Sequence, residues 1–188
     1  MSSDDDQAVH RHLRRFYSEG TLLGFYHSER TSGQYLVGVV TGLSEDYAVF
    51  RNYGLHGEVQ ELRVFWIGDI VKLVYGGPYL EMIESRVQFP LPGENIAEKW
   101  EDWEDVLNEL KYRGRSVMIE DRHGRNTTGF LLTVDENLYE IQTFSDDDEP
   151  VGNAIARMQD VYSIGFGGPL ENRLEARYPQ NVAESTEE

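Results

Sequence analysis

One stretch of this chain occurs twice. Asp69-Ile70-Val71-Lys72-Leu73-Val74-Tyr75-Gly76-Gly77-Pro78 recurs as Asp160-Val161-Tyr162-Ser163-Ile164-Gly165-Phe166-Gly167-Gly168-Pro169, an offset of 91 residues from Asp69 to Asp160. The same register aligns Gly33 with Gly124, Gly38 with Gly129, Glu45 with Glu136, Glu84 with Glu175 and Arg86 with Arg177, without a gap. A register held over that span points to duplication of one supersecondary unit. The predicted organisation is a first module over residues 1–89, a Pro-rich linker over 90–93, a second module over 94–178 and an acidic tail over 179–188. Pro90 and Pro92 make the joint extended and stiff.

Each module opens on a helical pattern. Val9, Leu13 and Phe16 fall at i, i+4 and i+7, and Trp100, Trp103, Leu107 and Leu110 at i, i+3, i+7 and i+10. Acidic residues crowd both starts, where the helix dipole favours them. Runs rich in β-branched and aromatic residues follow, bounded by Gly, Asp and Asn. In the first module they are Thr21 to Ser28, Gln34 to Leu43, Tyr47 to Asn52, Glu58 to Ile67 and Ile70 to Tyr75. In the second they are Ser116 to Glu120, Gly129 to Val134, Leu138 to Thr143, Asn153 to Met158 and Val161 to Phe166. Gly38 and Gly129 stand where a strand must bend sharply. Each Gly-Gly-Pro reads as a turn into a short helix with proline at its first position. The expected fold is mainly β with short helices: two tandem five-stranded bent sheets or partly open barrels, each preceded by a helix.

Charge and composition then remove whole function classes. Lys and Arg number 17 against 34 Asp and Glu, a formal charge of −17. Duplex DNA is therefore not an expected partner, because affinity for it comes from cations that neutralise phosphate. Lysine occurs only at positions 72, 99 and 111, a bias similar to that of salt-adapted surfaces. With no cysteine, thiol catalysis, disulfides and thiolate zinc sites are excluded. The acidic start, Ser2 to Asp6, lacks the positive charge of a secretory signal, and no apolar run is long enough to span a bilayer. A cytoplasmic protein is expected, with no membrane partner.

Chemistry-bearing motifs are absent from the sequence. The five histidines, His10, His12, His27, His56 and His123, lack a metal-binding spacing. There is no nucleophile elbow and no phosphate-cradling glycine loop. The chain reads as a non-enzyme with no cofactor and no metal. Asp146-Asp147-Asp148-Glu149 lacks the alternating ligands of a calcium loop and reads as a charged hairpin tip. The densest basic cluster, Lys111, Arg113, Arg115, Arg122, His123 and Arg125, reads as a helix end and a solvated turn. Together with Arg11, Arg14 and Arg15 it is the one candidate nucleic-acid surface.

The order of one helix and five bent strands resembles the Sm and Sm-like superfamily, and the second module carries the closer likeness. Arg113 to Ile119, His123-Gly124-Arg125 and Gly129 to Asp135 are similar to the first family motif, in which a glycine precedes an aspartate by six residues. Arg157, four residues before Val161, occupies the arginine position of the second motif, with Met158 in place of its glycine. Tyr139 occupies the place expected for an asparagine, and Asn137 comes early. The first module has Ser44 and Trp66 in place of Asp135 and Arg157. The resemblance implies edge-to-edge assembly, either a homo-oligomer or a complex with a protein partner. It also implies a single-stranded RNA site at Asp135, Asn137 and Arg157. Protein association is the first reading and RNA binding the alternative.

Overall fold

The computed structural model describes residues 4–27, 35–87, 95–145 and 147–179. The chain divides into two compact units, Met1–Glu101 and Asp102–Glu188. The 90–93 stretch lies outside the described residues, as does all of the tail beyond residue 179. The fold is mainly β with short helices.

The first unit contains α1 (Asp4–Glu19), β1 (Leu23–Tyr26), β2 (Leu36–Leu43), β3 (Tyr47–Tyr53), β4 (Val59–Trp66), β5 (Lys72–Tyr75) and α2 (Pro78–Glu84). A 3-10 turn, Ile67–Asp69, links β4 to β5. The strands pair antiparallel in the order β5-β1-β2-β3-β4, and β4 does not pair with β5, so the ladder stays open. One core gathers Leu13 and Phe16 of α1, Leu23 and Phe25 of β1, Ala48 and Phe50 of β3, and Phe65 of β4. On the other face, Val37, Val39 and Tyr53 pack against Leu80 and Ile83 of α2. Both faces of this sheet are thus covered by a helix. That is why β2 and β3 are buried nearly end to end instead of alternating.

The second unit contains α3 (Trp103–Tyr112), β6 (Ser116–Asp121), β7 (Asn126–Val134), β8 (Leu138–Phe144), β9 (Pro150–Arg157), β10 (Val161–Phe166) and α4 (Pro169–Arg177), with a 3-10 turn, Met158–Asp160, between β9 and β10. Its strands pair in the order β10-β6-β7-β8-β9, the order of the first unit shifted by five strands. The irregularities repeat as well. Pairing slips between Val40 and Gly42 in β2, and between Leu131 and Thr133 in β7. Extra residues of this kind bend a strand and increase its twist.

Gly38 and Gly129 are central to the repeated bend. A Cβ built at Gly38 would stand 2.6 Å from the carbonyl oxygen of Arg51, and one at Gly129 would overlap that of Gln142. Arg51 and Gln142 are themselves equivalent in the 91-residue register. Gly129 sits inside β7, which starts at Asn126 and not at the glycine as the sequence suggested.

Three sequence expectations are corrected. The second helix starts at Trp103, because the extended Asp102 accepts a 3.0 Å bond from the backbone N–H of Asp105 and caps it there. Trp100 lies before that cap, so it is not on the helical stripe, although it is buried. Residues 95–101 belong to the first unit, where the Asn95 amide donates to Leu43 O at 2.8 Å and accepts from Leu43 N at 2.9 Å. In the second Gly-Gly-Pro only Gly167 has positive φ, whereas both Gly76 and Gly77 do. Pro78 and Pro169 open their helices as expected.

Candidate functional site

The turn from β7 into β8 is built on Asp135. Its backbone N–H donates to Leu138 O at 2.9 Å, and its Oδ1 accepts from the N–H groups of Asn137 (3.0 Å) and Leu138 (2.9 Å). An aspartate in this position mimics a backbone turn. Ser44 does the same at the equivalent turn: its N–H donates to Tyr47 O at 2.9 Å and its Oγ accepts from Tyr47 N at 3.0 Å. The carbonyl of Asn137 accepts from Met158 N at 2.8 Å, as Asp46 O accepts from Ile67 N. Arg157 stands opposite Leu138 in the β8–β9 ladder.

Asp135, Asn137 and Arg157 are therefore brought to one end of the second unit's strands, and all three are exposed. One Asp135 oxygen is already committed to the turn. Tyr139, in the place of the family's asparagine, is buried and does not offer its ring to this surface. Burial pushes its phenol up to about 12, with the charges of Asp121 and Asp160 adding to the effect.

The basic cluster is largely paired within its own unit. Arg113 meets Glu109 at 2.6 Å, Arg115 meets Glu175 at 3.3 Å and Arg125 meets Asp121 at 2.6 Å. The guanidinium of Arg122 donates to Gln159 O at 3.2 Å. Desolvation pushes the Asp121 carboxyl up, but bonds from the Arg125 backbone, the Arg125 guanidinium and the His123 N–H outweigh it and hold the group below the usual carboxylate range. On α1, Arg15 lies over the rings of Phe16 and Tyr75, while Arg11 and Arg14 are exposed.

The acidic hairpin tip also has partners. Asp148 receives Nε and an Nη of Arg173, both at 3.2 Å, and Glu149 pairs with Arg177. These carboxylates bind the α4 arginines, which the charge run by itself did not reveal. Among the described residues no group of three or more His, Asp or Glu is gathered to hold a metal. Nor is any helix there long and apolar enough to cross a membrane.

Strand β9 is the feature that residue patterns understate. It pairs with β8 alone, and most of its residues are exposed, Val151 at 70 % and Ile155 at 71 %. Leu138, on the neighbouring strand, adds a third exposed apolar side chain. An edge strand leaves a row of unpaired backbone donors and acceptors, and here it adds bare aliphatic surface. Pro150 at its start and Gly152 after it are the sequence signals that place this strand at an edge.

No protein-family model matches the sequence, and no curated protein matches it. Among solved structures, YcgR in complex with c-di-GMP from Escherichia coli is similar over 100 % of this chain and 97 % of that one, with 10 % identity. Its TM-score is 0.21, and a likeness of that size carries no argument.

Proposed function

We propose that the chain is a non-enzymatic binding protein made of two tandem Sm-like modules, and that it acts by protein association through the β9 edge, most simply with a second copy of itself. The observation that carries this reading is β9: one partner strand, an unpaired long side, and Val151 and Ile155 exposed on it. The shared strand order of the two units, with one helix before the strands and an open ladder, supports the Sm-like assignment. Burying two large aliphatic side chains and completing a ladder of backbone hydrogen bonds gives such an edge both affinity and register.

Light scattering tests it. The wild-type chain is expected to sediment and scatter as an assembly larger than one chain, and Val151→Lys with Ile155→Lys is expected to shift it to monomer, since edge lysines block strand addition. A wild-type chain that stays monomeric at high concentration overturns self-association.

A second reading, binding of single-stranded RNA, is favoured by the convergence of Asp135, Asn137 and Arg157 at one end of the second unit's strands. Titration of labelled oligo-U at low and high KCl is the test. Under this reading Arg157→Ala weakens binding about tenfold, the scale of one lost base or phosphate contact. Binding that is indifferent to Arg157→Ala places RNA elsewhere on the protein.

A further inference from the structure

The segment that follows the fifth strand, the short helix with its exit, is tied back to the hairpin in both units through the equivalent arginine. In the first unit Arg86 donates through an Nη to Leu55 O at 2.9 Å, in the connection between β3 and β4. In the second, Arg177, its partner in the 91-residue register, donates through an Nη to Asp147 O at 3.2 Å in the β8–β9 connection. The hairpin turns match too. Gly57 has φ +82° and its equivalent Asp148 has φ +61°, the left-handed region that suits glycine and strains most other residues.

The chemistry of the tie differs between the copies. In the first unit the turn is glycine, and a Cβ there would stand 2.6 Å from Arg86 O; Met82 occupies the helix position. In the second unit, Asp148 replaces the glycine and Arg173 replaces the methionine, and these two form the bidentate pair. Tyr178 adds a hydroxyl bond to Asp148 O at 2.9 Å and packs its ring on Phe144, centroids 4.9 Å apart. Arg177 closes the set on Glu149. The aspartate and the arginine that holds it thus occur together in one copy and are both absent from the other.

We propose that α4 is an ionic strap that holds the β8–β9 hairpin and thereby sets how the β9 edge is presented, so that association at that edge responds to ionic strength. The role in association rests on the reading of β9 given above; the strap itself does not. Arg173 and Arg177 are about half exposed, so salt reaches the pairs and screens them, with the Debye length falling to ~3 Å at 1 M. The first unit, tied through a neutral carbonyl, lacks this sensitivity.

Hydrogen exchange of the full chain, followed by mass spectrometry, tests the strap. Amides of β8 and β9 are expected to exchange on the order of tenfold faster in Arg173→Ala with Arg177→Ala, while β6 and the first unit are unchanged. Wild type near 1 M KCl is expected to move in the same direction. Asp148→Gly with Arg173→Met, which copies the first unit's residues at these two positions and leaves the Arg177–Glu149 pair, is expected to keep hairpin protection and to weaken the salt response. Hairpin exchange that is indifferent both to the arginine substitutions and to salt overturns the strap, as does loss of protection spread evenly over the second unit. Should the double variant not fold, the salt series on wild type and the glycine–methionine variant still decide the question. Scattering on the same samples is a separate readout: a loosened hairpin with unchanged association removes the regulatory role and leaves the strap, whereas a monomeric wild type removes the edge reading.

Discussion

Gly129→Ala is expected to cost the second unit on the order of 3 kcal/mol or more, a fall in melting temperature of roughly 10 °C or more for a unit of this size. The added methyl has nowhere to go. Its Cβ would overlap the carbonyl oxygen of Gln142 on the paired strand, and that oxygen is backbone, fixed by the β7–β8 ladder. Relief requires the two paired strands to part. Gly38→Ala is expected to act in the same direction but less severely, because its Cβ would stand 2.6 Å from Arg51 O. Thermal melts of the two variants give the ranking, and a Gly129→Ala protein that melts with wild type would show that the strands do not approach as described.

Phe50→Ala is expected to cost about 3–5 kcal/mol, the range for deleting a fully buried ring. Phe50 stacks on Phe25 with centroids 3.9 Å apart and meets the edge of Phe65 at 6.0 Å, and Phe25 meets Phe65 at 5.3 Å. Strands β1, β3 and β4 each contribute one ring, so a cavity here loosens three strands at once. The register places Ser116, Ile141 and Ala156 at the corresponding positions of the second unit, which therefore has no rings at these three places. Ile141→Val, at the position matching Phe50, is expected to cost only about 0.5–1.5 kcal/mol. Urea titrations read both, with a lower midpoint at unchanged slope as the expected form. Equal losses from the two substitutions would mean that the rings do not carry the first core.

Element order was largely legible from residue patterns. The helices, nearly every strand and both proline-initiated helices fall close to their expected positions, because periodicity and turn residues are local properties. The errors lie at boundaries. Trp100 continues the apolar spacing of α3, yet Asp102 stops the helix short of it, since a satisfied cap outweighs one further apolar residue. The segment 95–101 reads as the approach to the second module, yet Asn95 bonds it to Leu43 of the first. Asp135, Asn137 and Arg157 were chosen by resemblance, and the β8–β9 register brings them together. The commitment of the Asp135 carboxylate to a turn became visible only in three dimensions, alongside the matching bond from Ser44.

Sequence alone determined that this protein is one β-rich pattern written twice, because a 91-residue register carries its glycines, prolines and apolar periods with it. Tertiary structure decided which of 34 carboxylates meet which of 17 cations, and that β9 is an edge strand, paired with β8 alone and carrying bare aliphatic side chains. Ion pairing and edge position depend on distances between segments far apart in the chain, and a residue pattern holds no distances.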